Sequence, residues 1–170
     1  MSKIIYLIGA RAAGKTTIGG LLARKLGLEF ADTDISLKEN AGLNVAQIVA
    51  AEGWPGFRKR ESEILRSVVS KPNTVVATGG GMVLAEENRD FMRSTGLVLF
   101  LAAPPEVLAA RLAVTTEDSQ RPSLTGRSIT EEMAEIVRER TPLYNAAAHH
   151  RLDASKSIED VLAQALEAIK

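Results

Sequence analysis

A glycine-rich loop between a buried strand and a helix is the feature that most limits the folds open to this chain. The loop, Gly9-Ala10-Arg11-Ala12-Ala13-Gly14-Lys15-Thr16-Thr17, matches the phosphate-binding pattern Gly-x-x-x-x-Gly-Lys-Ser/Thr. Residues 3–8 before it have the pattern of a strand, and the apolar residues after it have the spacing of one helix face: Ile18, Leu21, Leu22 and Leu26. Backbone N–H groups and the positive end of the helix dipole then point at one place. This arrangement predicts a nucleoside-triphosphate site; the alternative is that the two glycines only shape a turn.

Two side chains of the loop add chemistry of their own. Lys15, at the start of the helix, has the length and charge to reach the β- and γ-phosphates of a bound nucleotide. Thr16 follows it with a hydroxyl suited to ligate Mg²⁺.

Composition describes a small globular domain and excludes several classes of protein. The 170 residues are enough for one domain, 1–170, with a full core. Lys plus Arg and Asp plus Glu balance at 21 each, so we expect neither nucleic acid nor a membrane surface as partner. The absence of cysteine excludes disulfides and Cys-based metal sites. With no signal-peptide pattern, no long apolar run and no marked apolar interface, we expect a cytoplasmic monomer.

Strand and helix patterns alternate along the chain, which is typical of a parallel α/β sheet. The predicted strands are residues 3–8, 28–31, 73–77, 97–101 and 151–153. The predicted helices follow the phosphate loop, start near Ile35, and cover residues 45–51, 57–69, 105–113, 129–148 and 158–169, the last with Ser157 as its N-cap. The stretch 114–127 has no strong periodicity, which indicates a mobile loop.

Polar and glycine-rich groups follow the predicted strands. Because ligands of parallel sheets gather at the carboxyl ends of the strands, we expect these groups to form one site. The second strand ends in Asp32-Thr33-Asp34, the third in Thr78-Gly79-Gly80-Gly81, and the fourth is followed by a helix that carries Arg111.

The two carboxylates, Asp32 and Asp34, would share a face of an extended segment. An enzyme with a phosphate-binding loop needs one carboxylate near Mg²⁺ and one group that orients the nucleophile. One aspartate for each task fits. The alternative, which can coexist with it, is that one of them caps the next helix, a position that suits Asp34.

Three consecutive glycines, 79–81, are costly in chain entropy. We expect them where the backbone must approach a substrate closely or offer several N–H donors, rather than in an ordinary turn.

On the predicted helix 57–69, Arg58 and Glu61 have two interpretations. They are either a surface ion pair, or Arg58 is a clamp for a substrate carboxylate and Glu61 holds it in place. Trp54 and Phe57 are either core residues or ligand contacts.

Six segments, in this order and at these spacings, give the chain a specific family resemblance. They are the loop 9–17, Ala31-Asp32-Thr33-Asp34, Gly56-Phe57-Arg58-Lys59-Arg60-Glu61, Ala77-Thr78-Gly79-Gly80-Gly81, Arg121-Pro122-Ser123-Leu124 and Arg138-Glu139-Arg140-Thr141-Pro142-Leu143-Tyr144. From near Met1 to about Asp153 the chain resembles the shikimate kinases. The resemblance implies a three-layer P-loop kinase fold like that of the nucleoside monophosphate kinases. Its central five-stranded parallel sheet would be flanked by helices, with a substrate-binding region at about 33–61 and a mobile lid at about 114–127.

The resemblance also implies the reaction, in which the γ-phosphate of ATP passes to the 3-hydroxyl of shikimate in aromatic amino-acid biosynthesis. Carried over to this chain, the loop 9–17 binds ATP, with Lys15 on the phosphates, and Thr16 and Asp32 serve Mg²⁺. Asp34 holds the shikimate hydroxyls and orients or deprotonates the nucleophile. The remaining implied roles belong to Arg58 and Arg140 (carboxylate clamp), Glu61 (brace of Arg58), Gly79, Gly80 and Gly81 (closing around the ring), Arg121 (lid cation at the transferring phosphate) and Arg111 (stacking on adenine).

Two departures from the family pattern and two rival functions remain. Ala12 stands where many members have glycine, which removes some flexibility, and the segment 153–157 lacks a proline often found on the adenine side. A kinase for another small hydroxy acid, of the gluconate type, is one rival, and Arg58 with the triple glycine argues against it. The other is a non-catalytic nucleotide-binding sensor, against which the full set Lys15, Thr16, Asp32, Asp34 and Arg121 argues.

Overall fold

The computed structural model describes residues 3–68, 70–114 and 128–170. The strands are β1 (Ile4–Ile8), β2 (Glu29–Asp32), β3 (Thr74–Ala77), β4 (Leu97–Ala102) and β5 (His150–Asp153). The helices are α1 (Lys15–Leu26), α2 (Thr33–Ala41), α3 (Val45–Val68), α4 (Glu86–Thr95), α5 (Pro105–Ala113), α6 (Ile129–Ala147) and α7 (Ile158–Ile169), with a 3₁₀ turn at Met82–Leu84. Arg121 and nearly all of the predicted lid at 114–127 lie outside the described residues.

The five strands form one parallel sheet in the order β2-β3-β1-β4-β5. The strand β1 lies at its centre, and all five of its residues are buried. Because side chains alternate between the two faces of a strand, Ile5 and Leu7 pack with α1, α5 and α7, while Ile4, Tyr6 and Ile8 pack with α3, α4 and α6. This confirms the predicted three-layer α/β arrangement with a central five-stranded parallel sheet.

Helix α3 joins two segments that the sequence patterns predict as separate helices. Gly53 interrupts it with φ 71° and ψ 176°, a positive-φ conformation that glycine adopts without a Cβ clash. Pro55 then lies in the first turn after the break, where its missing N–H is not needed. The break re-aims the second half of α3, which carries Arg58 and Glu61, toward the carboxyl edge of the sheet.

Helix α4 is absent from the sequence-based prediction. Its segment, Glu86-Glu87-Asn88-Arg89-Asp90-Phe91-Met92-Arg93-Ser94-Thr95, has few apolar residues, so no apolar stripe reveals it. Only Asn88 and Met92 are buried on it. Met92 packs in the core with Phe91 against it, and Asn88 donates to the Met82 carbonyl and to the Ser62 hydroxyl, so a short apolar contact and polar contacts together fix this helix.

Candidate active site

The side chain of Lys15 folds back onto the phosphate loop and bonds to two of the loop's carbonyl oxygens. Gly14 precedes α1 with φ 95°, and Lys15 begins the helix. The Nζ of Lys15 donates to the carbonyl oxygens of Gly9 at 2.6 Å and of Ala10 at 2.8 Å. Gly9 has a steric reason to lack a side chain, because a Cβ there would lie 2.7 Å from the carbonyl oxygen of Leu101 on β4.

Ala12, at a position where the family resemblance implies glycine, has a glycine-like backbone. Its φ is 64°, in the left-handed region, where an L side chain costs roughly 1–2 kcal/mol. The substitution therefore does more than remove flexibility, because the loop holds backbone strain at this position.

Asp32 connects the phosphate loop to the start of α2. Its Oδ2 accepts a hydrogen bond from the Thr16 hydroxyl at 2.6 Å. Its Oδ1 accepts from the backbone N–H groups of Asp34 at 2.9 Å and Ile35 at 3.2 Å. Asp32 is therefore the N-cap of α2, which corrects the expectation that Asp34 suits this position. A β-region backbone at Asp32 (φ −115°, ψ 121°) places the start of α2 at Thr33, earlier than the pattern near Ile35 indicates.

A pocket beside the loop brings together most of the residues expected to bind the acceptor. It is lined by Arg11, Asp34, Val45, Trp54, Phe57, Arg58, Glu61, Gly80, Gly81 and Arg140. Three guanidinium groups and two carboxylates thus meet a wall made by the two aromatic rings. Phe57 is both core and pocket wall, since it is buried and packs with Leu37, Val45 and Ile48.

Arg58 and Glu61 form a partly buried ion pair and not a surface pair. The Nη1 of Arg58 lies 2.5 Å from Oε1 of Glu61, and the side chains are 27% and 3% exposed. The Cζ of Arg58 also lies 5.3 Å from the ring centroids of both Trp54 and Phe57. These contacts hold the guanidinium in one orientation, as the bracing hypothesis requires.

The three glycines have different surroundings. A Cβ on Gly79 would lie 2.5 Å from Oε2 of Glu61 and 3.0 Å from Oδ1 of Asp34, and a Cβ on Gly81 would overlap the guanidinium of Arg58. A side chain at either position would therefore displace Glu61, Asp34 or Arg58 from its place in the site. Gly80 differs, because no atom of the described residues lies closer than 3.5 Å to the place that its Cβ would take. Of the three glycines, only Gly80 has room for a Cβ, so we expect a substrate to be what requires glycine at this position.

The sequence patterns do not reveal the roles of two residues of the site. The motif assigns Arg11 to the nucleotide through its place in the loop, yet this residue lines the acceptor pocket. Tyr144 enters the sequence analysis only as part of a motif, although its hydroxyl donates to the Gly80 carbonyl at 2.6 Å. The usable signal for Tyr144 is its position four residues after Arg140, which places both on one face of α6.

Arg111 occupies the nucleotide side of the loop. Its guanidinium donates to the carbonyl oxygens of Ala12 at 3.2 Å and Ala154 at 2.7 Å, so it ties the phosphate loop to the segment after β5. The predicted stacking on adenine is not tested by these contacts.

In the described part of the chain, no helix is both long and apolar enough to span a bilayer.

Comparisons with known proteins agree with this arrangement. The sequence profile of the shikimate kinase family matches residues 11–170. Shikimate kinase 2 of Syntrophotalea carbinolica is 59% identical over all 170 residues of this chain, and the match covers 98% of that relative. Shikimate kinase 2 of Dickeya chrysanthemi is 52% identical, with 100% of this chain and 98% of the relative covered.

A solved structure extends the agreement to three dimensions. The shikimate kinase of Acinetobacter baumannii, determined in complex with shikimate, superposes with a TM-score of 0.90 at 34% identity, covering 99% of this chain and 93% of that one. With the family profile, the full-length relatives and the fold in agreement, this chain belongs to the shikimate kinase family.

Proposed function

We propose that the protein transfers the γ-phosphate of ATP to the 3-hydroxyl of shikimate, giving shikimate 3-phosphate and ADP on the route to chorismate and the aromatic amino acids. The observation that carries the proposal is a pocket beside the phosphate loop that combines Asp34 with the guanidinium groups of Arg58 and Arg140. Shikimate is a small ring with one carboxylate and three hydroxyls, which matches a cationic clamp on one side and a carboxylate acceptor on the other.

The nucleotide half of the site rests on Lys15, Thr16 and Asp32. The ammonium of Lys15 is held within the loop by two carbonyl oxygens and is close enough to turn toward bound phosphates. Because the Thr16 hydroxyl donates its hydrogen bond to Asp32, its lone pairs stay available to a cation. A hard oxygen ligand of this kind suits Mg²⁺. Bound Mg²⁺ would neutralise charge on the phosphates.

The acceptor half would fix the orientation of the substrate hydroxyl. Arg58, braced by Glu61, and Arg140 would pair with the carboxylate of shikimate. Asp34 would accept a hydrogen bond from the reacting hydroxyl and either orient it or remove its proton. Phosphoryl transfer requires mainly alignment and charge neutralisation, which these groups supply.

The proposal includes three further assignments. Arg121 would bring a cation from the lid to the transferring phosphate, and Arg111 would stack on adenine. Gly79, Gly80 and Gly81 would close around the shikimate ring, with Gly80 in direct contact. We also propose a cytoplasmic monomer that acts where ATP is abundant; light scattering during gel filtration tests the oligomeric state.

The deciding experiment measures ADP release from ATP and Mg²⁺ with and without shikimate, with gluconate and nucleoside monophosphates as controls. We expect turnover only with shikimate. Faster ADP release with gluconate would favour a kinase for another hydroxy acid. Nucleotide binding without any acceptor-dependent turnover would favour a sensor.

A further inference from the structure

Tyr144 is a buried tyrosine whose hydroxyl lies at the junction of three parts of the site. It is 2% exposed, and its ring stacks on Phe100 with centroids 4.9 Å apart. Its Oη donates to the carbonyl oxygen of Gly80 at 2.6 Å. Gly80 itself lies between the phosphate loop and Arg140: an ideal Cβ on it would be 3.5 Å from the Arg11 backbone nitrogen and 3.7 Å from Nη1 of Arg140.

The hydroxyl also interacts with Arg140 one helical turn earlier. Burial raises the pKa of Tyr144 to about 12, while the charge and the hydrogen bond of Arg140 act in the opposite direction. The phenol therefore stays protonated at physiological pH. It can accept from the guanidinium of Arg140 and donate to Gly80 at the same time.

Fixing the Gly80 carbonyl fixes more than one atom. The peptide unit is planar and trans, so the N–H of Gly81 points opposite to the carbonyl oxygen of Gly80. The hydroxyl of Tyr144 therefore sets the direction of the backbone N–H of Gly81, a residue that lines the acceptor pocket, and it interacts with the guanidinium of Arg140, which lines the same pocket.

We propose that Tyr144 is a positioning residue for acceptor recognition, acting through Arg140 and the Gly80–Gly81 peptide rather than by touching the substrate. This inference rests on the proposed function, since it assigns Tyr144 to the shikimate half of that site. It predicts that loss of the hydroxyl alone weakens shikimate recognition and leaves the nucleotide half intact.

The test replaces Tyr144 by phenylalanine, which keeps the stack on Phe100. Tyr6→Phe is a matched control, because Tyr6 is also fully buried and its hydroxyl bonds to Oγ1 of Thr95 at 2.8 Å, away from the acceptor pocket. We expect Tyr144→Phe to raise the KM for shikimate about five- to tenfold, the scale of one lost hydrogen bond. The KM for ATP and kcat should stay within about twofold. Tyr6→Phe should change only thermal stability.

A double-mutant cycle with Arg140→Lys adds a readout that a purely structural role would not move. If Tyr144 acts through Arg140, the two effects on the KM for shikimate should combine to less than their product. Equal changes in both KM values, a rise in the KM for shikimate with Tyr6→Phe, or fully multiplicative effects would overturn the proposal.

Shikimate binding is measured separately by the fluorescence of Trp54, the sole tryptophan, which lines the pocket. Wild-type protein that binds shikimate without turnover would refute the proposed function. Wild-type turnover with an unaffected Tyr144→Phe would refute only the positioning role.

Discussion

Thr16 and Asp32 are joined by a hydrogen bond of 2.6 Å between the threonine hydroxyl and one carboxylate oxygen, while the other oxygen of Asp32 caps α2. One side chain thus couples the phosphate loop to the helix that carries Asp34. The direction of this bond has a chemical consequence. A hydroxyl that donates to a carboxylate keeps its lone pairs for a cation, so Asp32 would orient Thr16 as a ligand of the proposed Mg²⁺.

Asp32→Asn is expected to uncouple these two roles. The amide oxygen can still cap α2, but the amide NH₂ would donate to Thr16 and turn the hydroxyl proton toward the cation site. We expect about a 10- to 100-fold loss of activity at limiting Mg²⁺, which is the usual effect of substituting a residue that orients a metal ligand. The melting temperature should stay normal. Kinetics over a Mg²⁺ titration measure the loss of activity. Unchanged Mg²⁺ dependence would show that Asp32 serves only the fold.

Arg140→Ala is expected to affect one substrate more than the other. Loss of a charge-assisted hydrogen bond to a carboxylate amounts to about 1.5–3 kcal/mol, so the KM for shikimate should rise roughly 10- to 100-fold while the KM for ATP changes little. Arg138→Ala is the matched control, since Arg138 lies on the same helix, is 76% exposed, and meets Glu135 only at 4.0 Å. Equal effects on both substrates would place the clamp elsewhere.

The parts of the site that can be predicted from the sequence are those encoded within a few residues of each other. The loop 9–17 is recognisable because glycines, Lys15 and Thr16 stand at fixed offsets after a strand, and the alternation of patterns predicts the parallel sheet. The edge strand β5 is predicted as well, although three of its four residues are exposed. Helix α4 escapes prediction, because its core contact is limited to Phe91 and Met92, with polar contacts of Asn88 beside them, and two adjacent apolar residues give no helical periodicity.

The remaining features depend on which residues meet in space. Asp32 and Asp34 are both suitable capping residues, and the backbone angles of the folded chain select Asp32. Arg11 belongs to the phosphate loop yet lines the acceptor pocket, a direction that no spacing encodes. Gly79 and Gly81 lack side chains because Glu61, Asp34 and Arg58, distant in sequence, lie against them.

Alanine substitutions along the triple glycine should separate substrate contact from protein packing. Gly80→Ala places its Cβ at ordinary van der Waals distance from its neighbours, so the free protein should keep its melting temperature. If the ring of shikimate packs against Gly80, the KM for shikimate should rise by about tenfold or more, the scale of about 1.4 kcal/mol. Gly79→Ala and Gly81→Ala should lower the melting temperature as well, because they displace Glu61 or Arg58. A normal KM for shikimate in Gly80→Ala would remove Gly80 from the substrate contact.

Ala12→Gly tests the strain in the phosphate loop. The left-handed backbone of Ala12 costs roughly 1–2 kcal/mol of folding free energy. Glycine would remove this cost, but it gives the unfolded chain more conformational entropy, which lowers stability by about 0.4–1 kcal/mol. We expect a net gain of up to about 1.5 kcal/mol in the free energy of unfolding, measured by urea denaturation without nucleotide. Ala13→Gly, at a buried neighbour outside the left-handed region, should instead be destabilising. Destabilisation by both substitutions would mean that the loop relaxes the strain by other means.

His149 should give the fold a dependence on mildly acidic pH. Its Nδ1 accepts the backbone N–H of Val98 at 3.0 Å, which fixes the start of β5 against β4 and requires an unprotonated nitrogen. Desolvation, with smaller contributions from Arg93 and His150, lowers the pKa of His149 below 6.5.

The unfolded chain therefore binds this proton more readily than the folded chain. The stabilisation should be complete above about pH 6.5 and lost as the pH falls through the lower, folded pKa. His149→Asn can keep an acceptor for Val98 without titrating, so its melting temperature should fall less than that of the wild type between about pH 7 and pH 5. The control, His150→Asn, alters the only other histidine of the chain, at the exposed start of β5. It removes only the smaller contribution of His150 to the pKa of His149, so its pH slope should stay closer to that of the wild type than the slope of His149→Asn. If His149→Asn keeps the wild-type slope as well, the acid sensitivity arises in other groups.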